Sequence, residues 1–391
     1  MVERARVVIV GGGIAGLACA FELARRGIRP VIVVERRYPG SGASGRNLAR
    51  LRTMQLTEDL TLLARRCRGK YEQLGDLLGF NVLYYLLDYV WLLYEDAELE
   101  VMQDAAAMHA RLGVPSRLLD PEQLLREMPE LRGGEPNVGG LVNREAMVHH
   151  DAVIWAYLER ARKLGVVVWD NTDVTSVEIV AGAVAGVTTT RGSVSADVVV
   201  NAAGGWSGAL SRLAGLARPN TPLRREVLVT APVTPFLSKA ATFYRPAEGW
   251  IGQTLRGEVV MGVTDPAEPS GVNQRSSLDF LIRTARVMTA KMPVLANLTV
   301  IRQWAGMYDV TPDHLPLVGA DPELPGFHHL NGWSGRGMLL APLLAELAAE
   351  IIAGSPPDPL LERFAPGRFE GSGDEAALEQ DYYSRYARRE A

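Results

Sequence analysis

The sequence predicts an α/β chain of two domains, one on a parallel sheet and the other rich in alternating strands. Three observations carry this. A short apolar run, Arg6 to Val10 (RVVIV), breaks directly into glycines, and a helical pattern and a second apolar run follow; that order reads as strand, turn, helix, strand. Alternating segments such as EVLVTAPV and GEVVMGV dominate residues 221–264, as half-buried strands do. At 391 residues the chain also exceeds the size at which one core keeps growing.

The first run is a buried parallel strand. It leads into Gly11-Gly12-Gly13-Ile14-Ala15-Gly16, a G-x-G-x-x-G turn. Gly11 permits the tight turn, Gly13 lets the backbone approach a pyrophosphate, and Gly16 lets the next helix lie close to the strand. That helix is expected from about Ala15 to Arg26, with Gly27 as its C′ residue. Its N-terminus, at Ile14 and Ala15, turns free N–H groups and a partial positive charge toward phosphates. The second strand, Pro30 to Val34, ends on Glu35, an acid placed to accept from both ribose hydroxyls. Glu35 argues against a 2′-phosphate, while the adjacent Arg36 keeps one in consideration. The unit is a Rossmann-like dinucleotide-binding fold.

Beyond Glu35 the chain departs from a plain nicotinamide-binding plan. Residues 37–52 (RYPGSGASGRNLARLR) are rich in glycine, serine and arginine where a second crossover helix would start. Helical patterns follow at Leu56–Leu78 and later at Ser276–Met292. A further strand, Ala196–Ala202, closes on Gly204-Gly205. A second glycine turn, Gly332 to Gly337, precedes a long apolar helix, Met338–Ile352, and offers another positive dipole end. Such an end suits the anionic reduced ring of a flavin, so FAD is the expected cofactor.

Net charge is −4 with interspersed signs, which excludes a nucleic-acid footprint. Cys19 and Cys67 both fall in helical patterns, as buried hydrophobes, and no metal site is expected. The N-terminal apolar run is too short for a secretory h-region, so a cytoplasmic location is expected. The apolar stretch Val82–Tyr94 is short of a membrane span and carries Asp88; a buried hairpin suits it, with peripheral membrane contact as the alternative.

Four blocks carry a resemblance to the D-amino-acid-oxidase-like FAD-dependent oxidoreductases: VVIVGGGIAGLACAFELARRG with Glu35, SGRNLARLR, VVVNAAGGWSG, and the pair WAGMYDVTPDHLPLVG and HHLNGWSGRGMLLAP. Within that family the chain is most similar to the β subunits of heterotetrameric sarcosine oxidase and of archaeal dye-linked L-proline dehydrogenase, notably through VHHDAVIWAYLERARKLGV, TTRGSVSADVVV and RGEVVMG. The resemblance implies a discontinuous FAD-binding domain, residues 1–79, 146–217 and 312–369. Residues 80–145 and 218–311 would form a substrate domain on a large, mostly antiparallel sheet, leaving 370–391 as a polar tail that could dock on a partner.

The same resemblance assigns residues. Gly11, Gly13, Gly16 and Glu35 match the dinucleotide motif. Ser44, Arg46 and Asn47 match the segment passing the pyrophosphate, with Arg50 near the ring. Val174 matches the position at the adenine edge, and Ala203 and Gly204 the strand-end turn. Gly335, Arg336, Gly337 and Met338 match the loop facing the flavin pyrimidine.

Departures are informative. The cysteine that binds flavin covalently in monomeric sarcosine oxidases is Gly306 here, so FAD is expected to be non-covalent. A lysine of those enzymes is Leu339. The arginine that grips the carboxylate in glycine and D-amino-acid oxidases falls at Tyr308. A carboxylate must then be held by Arg50, Arg336, Tyr244 or Tyr308, arginine being favoured for its bidentate fork; the arginines could equally serve FAD itself. His150 matches a position that carries FMN at a subunit boundary in sarcosine oxidases; the alternative is a histidine capping a helix that starts near Asp151, itself a good N-cap.

The implied activity is oxidation of a small amine or amino acid, proline- or sarcosine-like, by hydride transfer from the α-carbon to flavin N5, the imine then hydrolysing. The cofactor carries the chemistry and the protein orients. Asp313 and His314 are read as fixing a loop, Trp304 and Trp333 as pocket walls. Electrons would leave to oxygen, a quinone or dye, or a second flavin. The alternatives are a hydroxy-acid or glycerol-phosphate oxidoreductase, and a flavin-binding subunit inactive without partner chains; the other assembly is a homo-oligomer.

Overall fold

The computed structural model describes residues 3–369; the expectation for the 370–391 tail lies outside them. The predicted opening is present as β1 (Glu3–Val10), α1 (Ile14–Arg25) and β2 (Val31–Val34). After the glycine-rich loop come β3 (Arg50–Leu51), α2 (Glu58–Glu72) and α3 (Leu74–Leu78). The stretch read as a hairpin is instead one strand, β4 (Tyr85–Leu93), because Asp88 sits within the run without breaking it. There follow α4 (Asp96–Arg111), β5 (Arg117–Leu119), α5 (Pro121–Glu127) and β6 (Gly139–Met147). Then α6 (His150–Lys163) starts one residue earlier than expected: His149 is its N-cap and Asp151 lies inside the first turn.

The chain continues through β7 (Val167–Trp169), β8 (Val174–Val180), β9 (Ala183–Thr189) and β10 (Gly192–Asn201), then α7 (Ser207–Leu213). The alternating region resolves into β11 (Thr221–Thr230), β12 (Ala240–Phe243), β13 (Gly249–Gln253) and β14 (Val259–Val263). Last come α8 (Leu278–Lys291), β15 (Val300–Val310), β16 (Leu317–Ala320), β17 (Phe327–Asn331) and α9 (Gly337–Ile352).

Two sheets organise the described residues. The first is 8-stranded in the order β16-β17-β10-β1-β2-β7, with β9 on β10 and β8 on β9. Its centre is parallel, β1 lying between β10 and β2. One face packs on α1, α2, α6 and α9 in the largest apolar cluster, and the other carries a smaller one. The second sheet is 9-stranded in the order β15-β11-β14-β13-β12-β4-β6-β3, with β5 on β6. It is antiparallel except where β12 meets β4. Arg50–Leu51 pairs with Met147 and Ala146, so the glycine-rich loop leaves the first sheet and ends inside the second. Among the described residues no helix is long and apolar enough to cross a membrane.

Candidate active site

The glycine turn is built from two close approaches. Gly11 has φ +117° and its missing Cβ would strike the Ala202 carbonyl; that of Gly16 would strike the Gly11 carbonyl oxygen. Both positions therefore demand glycine. Glu35 braces the turn: Oε2 accepts from the Gly12 N–H at 2.8 Å, and Oε1 from the Arg37 N–H at 2.9 Å and the Ser41 hydroxyl at 3.2 Å. A carboxylate has about four acceptor positions, so capacity remains for a ribose hydroxyl. At the start of α1, the Ile14 N–H donates to Ser44 Oγ at 3.0 Å.

A cavity of about 1130 Å³ runs from this turn into the second sheet. Gly11, Gly13, Ile14, Ala15, Glu35, Arg36, Ser44, Arg46, Asn47, Val174, Ala203 and Gly204 line it, as do Gly306, Gly335, Arg336, Gly337 and Met338. At one end Arg36 pairs with Asp173 at 3.1 Å and stacks on Trp206, beside Val174. In the middle, Arg46 donates to the carbonyls of Ser41 at 2.9 Å and Ala305 at 3.1 Å, stitching the loop to β15. Asn47 shapes the same loop by bonds to Ala43 and Ser44. At the other end, α9 opens onto the cavity and Arg336 donates to the His314 carbonyl at 2.8 Å. The loop role expected for Asp313 fits its paired bonds from Arg368.

Some expected residues lie elsewhere. Gly16 is a packing glycine away from the cavity wall. Tyr244 does not line the cavity; it packs edge-on against Trp91 and is bonded by Arg52, its hydroxyl pushed up mainly by burial. Of the two tryptophans, Trp333 is a wall, whereas Trp304 turns its N–H to the Arg46 carbonyl outside the lining. His149 and His150 are also outside it; with Asp151 they bring ligand atoms within 4.8 Å of one another, His150 Nδ1 standing 2.9 Å from the Asp151 carboxylate.

The chamber under the second sheet holds residues the sequence did not disclose: Tyr89, Trp250, Arg52, Arg225, Glu248 and Asp309 join Arg50 and Tyr308. Arg50 stacks on Tyr89 at 4.8 Å and Trp250 at 5.5 Å. Arg52 stands over Trp91, and the segment after it is pinned by the buried Glu145, which accepts from the N–H groups of Thr53 and Met54. Asp309 is buried on β15 and accepts from the Gly332 N–H and Asn220; burial is the main cause pushing its carboxyl up to about 7. A single charge inside the apolar run WAGMYDV was its one sequence signal. Arg225 had none, since it reads as part of a solvated RRE run.

The cradle suits a dinucleotide on its own chemistry: two glycine turns, each opening a helix toward one elongated cavity, with an acid at the strand end. The comparisons agree. The chain is 28% identical over 377 residues to the sarcosine oxidase subunit beta of Rhodobacter capsulatus, covering 94% of this chain and 90% of that one. It is 28% identical over 369 residues to the glycine oxidase of Bacillus licheniformis, covering 91% and 95%. Among solved structures it matches the L-proline dehydrogenase from P. horikoshii with a TM-score of 0.85 at 27% identity, covering 95% and 99%. Residues 6–351 match the family model for FAD dependent oxidoreductases, and the chain belongs to that DAO family.

Proposed function

We propose that the chain oxidises a small amine or amino acid, with a proline- or sarcosine-like secondary amine as the substrate type. The observation that carries this is the continuity of one cavity from the glycine turn to a chamber walled by Tyr89, Trp250, Tyr308 and Arg50. FAD, when bound, supplies the two-electron acceptor. The chain's own residues do the rest. Gly11, Gly13, Ser44 and Glu35 hold the phosphate and ribose side. The N-terminus of α9 and Arg336 favour negative charge at the far end. Tyr89, Trp250 and Tyr308 exclude water, and the chamber's guanidinium groups orient an anionic substrate. In this reading residues 1–79, 146–217 and 312–369 form the FAD-binding body, and 80–145 with 218–311 the substrate body, β3 crossing between them.

Anaerobic mixing of the FAD-loaded protein with L-proline, D-proline, sarcosine, glycine, a hydroxy acid and glycerol 3-phosphate tests the proposal. Loss of the oxidised flavin band with an amine supports it. Bleaching by the hydroxy acid or the phosphate ester alone would replace it with the alternative oxidoreductase reading.

FAD is read as non-covalent, because Gly306 offers no nucleophile and both thiols are buried, Cys19 being pushed up to about 12 by burial. Denaturation is expected to release all FAD and leave the intact chain at its sequence mass. An adduct mass would overturn this, and would also revive a flavin bond at His150, which the comparisons do not support. The relatives named as subunits favour a second reading, a flavin-bearing subunit of a larger assembly; the size-exclusion mass of the native protein distinguishes it.

A further inference from the structure

The arginine expected at position 308 is a tyrosine, yet the chamber does contain a guanidinium over that tyrosine. β11 runs antiparallel to β15, with Leu223 opposite Tyr308 and Arg225 opposite Gly306. Arg225 stands with its Cζ 5.3 Å from the Tyr308 ring centroid. Its neighbours are committed to the protein: Arg224 makes paired bonds with Glu268 at 2.8 and 2.7 Å, and Glu226 accepts from the Ser277 N–H at 2.6 Å. Arg224 and Glu226 stand together, and Glu226, though it also lines the cavity, is held there by Ser277.

Arg225 itself is under-used. Its Nη1 donates to the Arg224 carbonyl at 3.2 Å, and its Nε is buried without a partner. The other guanidinium groups of the cavity named above have work in the fold: Arg46 on two carbonyls, Arg336 on the His314 carbonyl, Arg52 on Tyr244, and Arg50 between two aromatic rings with a bond to the Ala241 carbonyl. A buried guanidinium donor without an acceptor is costly and calls for an explanation. A planar fork lying on an aromatic ring is also pre-organised for a carboxylate.

We propose that Arg225 is the carboxylate anchor of the chamber, supplied from the strand next to the one that would ordinarily carry it, with Tyr308 as its platform. This deepens the reading of the chain as an amine oxidoreductase and rests on it: the substrate is an amino acid held by its carboxylate, and plain amines are poor substrates. Glu248, which lines the same chamber, offers the opposite charge for the amino end.

The test is an anaerobic titration of FAD-loaded protein with 2-furoate and with its neutral amide, read from the flavin difference spectrum, together with reduction by L-proline and by pyrrolidine, the same ring without a carboxylate. Wild type is expected to bind the acid and not the amide. Arg225→Gln weakens acid binding about 10- to 100-fold, raises KM for the amino acid by a similar factor, and narrows the preference for L-proline over pyrrolidine accordingly. Arg225→Lys, which keeps the charge but loses the fork, falls between and covers the case in which Arg225→Gln does not retain FAD. Equal acid affinity in wild type and both variants overturns the proposal, even where L-proline or another amine reduces the flavin. Acid binding that depends on Arg225, with no amine reducing the flavin, upholds the anchor and removes the amine-oxidation reading instead.

Discussion

Asp309 sits where the second glycine turn, β15, the start of α7 and the segment before β11 meet, and its protonation is coupled to the fold. Burial favours its neutral form and outweighs the bonds from Gly332, Asn220 and Ser207, leaving the carboxyl at about 7 against an ordinary 3.8. The folded state then binds a proton more tightly than the unfolded one. The associated stability is complete below about pH 4 and is lost as pH rises through about 7. The slope between those limits is at most about 1.4 kcal/mol per pH unit. Asp309→Asn, measured against wild type by urea unfolding from pH 4 to 8, is expected to flatten that part of the profile; parallel profiles would show that the carboxyl titrates normally. At this scale the sequence disclosed residues whose role is local. The glycines and Glu35 act within one turn and were readable from spacing. Arg225, Glu248 and Asp309 acquire meaning from cross-strand register, which no linear spacing encodes.

The helix α9 illustrates the same limit for an element. Its apolar run and glycine start predicted a helix over 338–352, and it spans Gly337–Ile352. It also contains Pro342, which lacks the N–H that would satisfy the Met338 carbonyl four residues earlier. The fold meets that defect from another helix: the fully buried Tyr71 hydroxyl of α2 donates to the Met338 carbonyl. The bond fastens α2 to the turn of α9 that lines the cavity. Tyr71→Phe is expected to cost about 1–3 kcal/mol, the penalty of an orphaned buried carbonyl. Pro342→Ala restores an in-helix donor, so the double variant should recover much of the loss. A double-mutant cycle by denaturant unfolding measures this; strictly additive single effects would show that proline and tyrosine do not share the carbonyl. The strand β4 differs from the expected hairpin for a related reason. An aromatic, β-branched run fits one long strand or two short ones equally, and only pairing with β6 along its whole length decides between them.

Across the molecule, the cavity is a seam. Gly11, Glu35 and Trp206 reach it from the first sheet, and Arg225, Trp250, Gly306 and Tyr308 from the second. The connection is covalent too, since the loop that lines the cavity at Ser44 and Asn47 continues into β3 on the second sheet. The two-sheet plan was legible from the strand patterns, whereas the crossing at Arg50–Leu51 was not, because a two-residue strand has no periodicity to detect. A ligand lying along the seam stabilises both bodies together. FAD at about 100 times its dissociation constant should add about 2.7 kcal/mol, a rise in melting temperature of about 3 °C for a chain of this length. Calorimetry of FAD-free and FAD-loaded protein checks this, and the shape of the trace carries the information. If FAD bridges the sheets, every transition moves up, and separate transitions in the FAD-free protein draw together. If one transition moves while another stays fixed, FAD is held by a single body, and the chamber under the second sheet is not part of the site it completes.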